Sequence, residues 1–145
     1  MAYFSLIVTH PIKFFMKKVL YILLICFSVF TLTSSFKNQN DGVNVIKALK
    51  TADAAQVATY FDKILDLKLP EKEEIKSIGK NQAGFALKSF FEENSISGFD
   101  LTSQRELGGT MYITGKLLDA DKGYNLTLML KNKGGKQQII TVRIN

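Results

Sequence analysis

An α+β domain, with helices set apart from a curved antiparallel sheet, is what this sequence predicts. Three observations carry the prediction. From Phe99 to Ile144 the chain alternates apolar and polar residues, in four runs separated by glycine-bearing turns. The segments before it place apolar residues at helical spacing. A stretch nearer the N-terminus fits neither pattern and reads as a targeting leader.

The leader comes first. Met16-Lys17-Lys18 is a short positive start, and Val19 to Leu32 is apolar and uncharged. Thr33-Ser34-Ser35 then supplies small residues. This is the order of a secretory signal. The expected cut follows Ser35, so that residues 1–35 are a signal region, 36–42 a flexible lead-in and 43–145 one domain. Met16 is a better start than Met1, which makes residues 1–15 an over-extended beginning. The alternative is an uncleaved membrane anchor, but the apolar run is shorter than the roughly 20 residues a spanning helix needs. A lipid on Cys26 is disfavoured because the bulky Ile25 precedes it. The expected location is therefore the periplasm or the cell exterior, with membrane contact only through an uncleaved leader.

Cleavage also changes the chemistry available. The chain has 19 basic and 13 acidic residues and a net charge of +6. Lysines 13, 17 and 18 lie in the leader, so the remaining chain is expected to carry +3. Basicity thus gives no argument for a nucleic-acid partner. His10 and Cys26 are the only histidine and cysteine, and both precede the cut. A cysteine nucleophile, a Ser-His-Asp triad, a Cys/His zinc site and a disulfide are then excluded.

Past the leader, Val43, Ile46 and Leu49 recur at helical spacing. Asp53 suits an N-cap for a second helix from Ala54 to about Lys63, with Val57, Tyr60, Phe61 and Ile64 as its apolar side. Leu65, Leu67 and Leu69 alternate with Asp66 and Lys68, a strand ended by Pro70. Glu74 to Ile78 reads as a short edge strand. A third helix runs from about Lys80 to Asn94, with Ala83, Leu87, Phe90 and Phe91 on one face and Gly79 as its cap.

The four closing strands follow. Phe99, Leu101 and Ser103 share a face, then Gly108-Gly109 turns the chain. Met111, Ile113, Gly115 and Leu117 form the next apolar side, before the turn Asp119 to Gly123. Leu126, Leu128 and Leu130 lead to a turn at Gly134-Gly135, and Ile140, Val142 and Ile144 finish the sheet. Short connections make these neighbours antiparallel.

On these residues a resemblance rests. Asp53-Ala54 through Tyr60-Phe61, Leu65-Asp66-Leu67, Gln82-Ala83 leading to Phe90-Phe91, and Tyr112-Ile113-Thr114-Gly115 resemble a bacterial family of exported proteins, domain of unknown function 4783. The similarity spans about Val43 to Ile144. That family is similar to the cone-shaped, cystatin-like fold of nuclear transport factor two and ketosteroid isomerase. The resemblance implies a curved sheet wrapped around helices with a cavity at its open end. It brings no catalytic residues.

In such a cone Tyr60, Phe61, Phe90, Phe91, Phe99 and Tyr112 are the aromatics available to line a cavity for a small apolar ligand; the competing role is simple core packing. An acid–base mechanism would need a tyrosine or one of Asp62, Asp66 and Asp100, each more simply a strand-face or helix-end residue. Asp119-x-Asp121-x-Gly123 lacks the further oxygen ligands of a calcium loop, and Gly134-Gly135-Lys136 lacks a phosphate loop's setting, so both read as hairpins. Lys131, Lys133, Lys136 and Arg143 are a candidate weak anion patch or an edge guard. The leading expectation is a non-catalytic exported domain, without cofactor or metal, that binds a small apolar ligand or a protein partner. The alternatives are a cavity enzyme of isomerase or dehydratase type, and a scaffold that homodimerises through its open sheet face.

Overall fold

The computed structural model describes residues 17–18 and 41–145. Lys17 and Lys18 are helical and exposed. The expectations for the signal region, the cut after Ser35 and residues 36–40 otherwise lie outside the described residues. The chain divides into two units, Met1–Lys37 and Asn38–Asn145, and the fold below is that of the second.

Helix α1 covers Asp41–Lys50 and α2 Ala54–Thr59. Strand β1 covers Phe61–Lys68 and β2 Ile75–Gly79. Helix α3 covers Lys80–Glu93. Strands β3 (Gly98–Leu107), β4 (Thr110–Leu118), β5 (Tyr124–Lys133) and β6 (Lys136–Ile144) complete the chain. All six strands join one sheet in the order β2-β1-β6-β5-β4-β3. The expected β3–β6 meander is present, and β2 is an edge strand as its charged sequence implied. The sheet is mixed rather than wholly antiparallel, because β1 pairs in parallel with β6. These two strands are remote in sequence, so no short turn dictates their direction. Helix α3 carries the chain from edge strand β2 to the opposite edge strand β3 and packs chiefly on β1 and β2, while α1 packs on β3, β4 and β6.

The turns follow from local chemistry. Gly108 and Gly109 have φ of 59° and 74°, and Gly134 and Gly135 have φ of 61° and 83°. Two successive residues at positive φ make the tight hairpin turn that matches strand twist, and glycine takes it without strain. The Asp119 carboxylate accepts from the backbone N–H groups of Asp121 (2.9 Å) and Gly123 (2.7 Å), so the calcium-like string is a self-satisfied turn.

Where strands bulge, simple alternation fails. Met129 pairs with Thr141 and Leu130 with Ile139, leaving Ile140 as an extra residue in β6. Ile139, Val142 and Ile144 are therefore the buried set, not Ile140, Val142 and Ile144. A one-residue insertion reverses the faces on one side of it. In β3 the extra residue is Thr102, between the Leu101–Gly115 and Ser103–Thr114 pairs. Phe99 and Leu101 precede it and lie on the face of Leu117 and Gly115, whereas Ser103, beyond it, pairs with Thr114 and so leaves the face expected for it. Bulges at these positions bend the strands and add to the sheet's curvature.

The helices fit the inner face with two corrections. Val45, Ile46, Ala48 and Leu49 form the buried side of α1, while Val43 is exposed and Asp41 and Gly42 already belong to the helix. Helix α2 ends at Thr59, four residues before the expected Lys63. Tyr60 closes it, and its carbonyl accepts from the Ile139 N–H at 2.8 Å. Phe61 then pairs with Ile139 as a strand residue, which leaves Ile64 exposed. Sheet pairing has overridden the helical spacing here. Asp53 caps α2 as expected, accepting from the Gln56 N–H at 2.9 Å. Replacing it with alanine should cost about 1 kcal/mol, measured by urea unfolding. In α3, Ala83, Leu87, Phe90 and Phe91 are buried, as the spacing required.

Candidate functional site

The six aromatics proposed for a cavity are not gathered at one opening. Phe61, Phe90, Phe91 and Phe99 are buried in the core, and Tyr60 and Tyr112 are half-buried. Phe90 packs edge-on against Phe91 and, at 5.1 Å between ring centroids, against Tyr124. Phe90, Tyr60 and Phe91 each border a different depression, of about 260, 270 and 340 Å³ respectively. Their size and apolarity serve packing first.

The three aspartates are also separated, and each has a distinct environment. Asp66 accepts from the Ser77 N–H at 2.9 Å, which holds edge strand β2 at its irregular register. Asp100 is exposed on β3. Asp62 is buried on β1 and receives a hydrogen bond and ion pair from Lys133 of β5, with a further hydrogen bond from the Lys63 N–H at 2.8 Å. The Lys133 hydrogen bond holds the Asp62 carboxyl below its ordinary range, outweighing the opposing effect of burial. A carboxylate shifted this way is a weaker base, the reverse of what proton abstraction at neutral pH requires.

That shift has a consequence for acid stability. The folded state favours ionised Asp62 more than the unfolded chain does. The contribution is complete above the unfolded pKa, near 3.9. It is lost as pH falls from there through the lower folded value. Urea midpoints should therefore drop below about pH 4, and Asp62→Asn should remove part of that acid slope. An unchanged slope in the variant would refute the coupling.

The lysine-rich hairpin is less of a patch than its sequence suggested. Lys133 is engaged by Asp62, and Arg143 lies opposite Thr127, remote from the hairpin tip, where its guanidinium donates to Glu74 at 3.0 Å.

A different feature stands out, and it lies on the helices. A groove of about 560 Å³ runs between α2 and α3. Its floor is made of small residues, Ala55 and Ala58 from α2 and Gly84 from α3. A β-carbon added at Gly84 would lie 3.2 Å from that of Ala58, so glycine lets the two helices approach closely. Phe85 stands on the rim with 75% of its surface exposed. Lys80 closes one end, its ammonium donating to the Thr59 carbonyl at 2.9 Å. The neighbouring depression shares Ala55 and Lys88 with the groove and extends it to Asp53 and Glu92. The whole channel therefore follows most of α3, 14 residues or about 21 Å long. The sequence carried one signal for it: Phe85 lies off the apolar face of Ala83, Leu87, Phe90 and Phe91, where a large apolar residue has no core to fill.

Comparison with known proteins agrees with the fold. The sequence model of a family described as domain of unknown function DUF4783 matches residues 43–145. A solved DUF4783 family protein from Bacteroides uniformis is 20% identical, with a TM-score of 0.65 over 71% of this chain and 94% of that one. A nuclear transport factor two-like protein of unknown function from Cytophaga hutchinsonii is 10% identical, with a TM-score of 0.54 over 78% and 92% of the two chains. An uncharacterized cystatin-fold protein from Novosphingobium aromaticivorans is 12% identical, with a TM-score of 0.55 over 74% and 97%. At these identities the likeness is one of fold: an α+β cone. No curated protein matches the chain significantly.

Proposed function

The chain belongs to the family of domain of unknown function 4783, and on that premise we propose that it is a non-catalytic exported domain that holds an apolar segment of a protein partner in the α2–α3 groove. The observation that carries this reading is the apolar floor beside an exposed Phe85. Burying that ring and the small apolar residues beside it against a partner's apolar side chains is favourable, because it removes their surface from water.

Of the two occupants expected, a small apolar ligand and a protein, the shape favours the protein. The groove is open along its length. Sites for small ligands enclose about 70–90% of the bound molecule, which an open channel does not. The cavity-enzyme alternative is weakened by Asp62, whose carboxylate is already committed to Lys133.

A solvatochromic naphthalene sulfonate dye tests the groove directly. Saturable fluorescence enhancement should appear with the folded protein and be lost in Phe85→Ser and in Ala55→Gln, both on exposed helix faces. Dye binding indifferent to both changes would sink the reading. Export is tested separately: the protein purified from its own cell should begin at Phe36, and a retained leader argues against it.

A further inference from the structure

We propose that the occupant of the α2–α3 groove is the same groove of a second copy of this chain, laid antiparallel across a two-fold axis. The inference rests on the groove reading above and goes further by naming the partner. A two-fold contact requires one face to carry both a projection and a recess. This face has both: Phe85 projects, and the small residues Ala55, Ala58 and Gly84 form the recess beside it.

Charge then selects the direction. Lys80 lies at one end of the channel, and Asp53 and Glu92 at the other. A parallel pair would set Lys80 on Lys80 and Glu92 on Glu92, which is repulsive. An antiparallel pair, with its axis passing between Phe85 and Lys88, brings Lys80 of each copy to the acidic end of the other. Lys88, beside the axis, shares Glu92, 3.8 Å away on its own helix, with the incoming Lys80, and Asp53 supplies the second negative charge at that end. Asn81, Phe85, Lys88 and Glu92 recur three or four residues apart along one side of α3, so Phe85 is the apolar centre of a face whose other members are polar. A contact built on one helix pair is small, at the low end of about 1,200 Å². The dimer is therefore a weak one that forms at high concentration.

Sedimentation equilibrium of the protein over a wide concentration range tests this. The expected result is a monomer–dimer equilibrium that Phe85→Ser weakens by about tenfold or more without changing the melting temperature. Glu92→Lys should also weaken it, and adding Lys80→Glu to Glu92→Lys should restore association. A dimer unaffected by Phe85→Ser overturns the proposal and places the contact elsewhere, for example on the outer sheet face. A monomer at millimolar concentration that still binds the dye overturns self-pairing while leaving the groove to a different partner. A monomer that binds no dye overturns both.

Discussion

Substituting Gly115 with alanine lowers the unfolding free energy by about 2–3 kcal/mol, measured as a drop in the urea midpoint. Gly115 sits in β4, opposite Leu101 and beside the Thr102 bulge. A β-carbon there would lie 2.2 Å from the Asp100 carbonyl oxygen and 2.4 Å from the Phe99 ring. Both are inside contact distance, so the strand or its neighbour must move. The backbone oxygen is the nearer obstacle and cannot rotate away as a side chain can. Trimming the ring should therefore not rescue the variant: Gly115→Ala combined with Phe99→Leu should be less stable than either single change. Alanine tolerated within about 0.5 kcal/mol would mean that the curve of β3 over β4 is softer than argued. Gly115 thus acts in the sheet as a recess that accepts the Phe99 ring and lets the bend form.

Replacing Phe61 with alanine costs about 3–5 kcal/mol, the larger of the two effects. Phe61 is 1% exposed and opens β1 against Ile139 of β6. Removing the ring loses apolar burial and leaves a void where α2 gives way to the sheet. A domain of this size commonly has about 5–15 kcal/mol in total, so the variant should be only marginally folded at room temperature. Phe85→Ala provides the contrast. That ring is 75% exposed, and its loss should change stability by less than about 0.5 kcal/mol. Equal costs for the two phenylalanines, read by thermal and urea unfolding, would contradict the burial described.

Phe61 and the pair Phe90-Phe91 show where a sequence pattern is a sure guide and where it misleads. Phe90 and Phe91 belong to an apolar stripe repeated along fourteen residues of α3, and the repetition itself identifies the buried side. Phe61 has no such support. It continues the helical spacing of Val57 and Tyr60, yet the Tyr60 carbonyl and Phe61 are held by β6, almost eighty residues onward. The same holds for Ile139 and Ile140: adjacent residues of one type, where a bulge decides which is buried. Among site residues, the aromatics were visible in the sequence but their separation was not. The groove went unseen because Ala55 and Ala58 in a six-residue helix and the single Gly84 in α3 form no apolar stripe, and Phe85 alone marked the place.

Side-chain alternation, glycine pairs and the Asp53 cap act over a few residues, so the chain's own order sufficed to specify four consecutive strands, their turns, a long amphipathic helix and the α+β class. The parallel β1–β6 pair, the bulges at Thr102 and Ile140, the Asp62–Lys133 contact and the channel beside Phe85 arise only when distant segments close on one another. Those features depend on which backbone groups remain to be paired and which surfaces remain to be covered after the local elements have formed, and that is a property of the assembled fold.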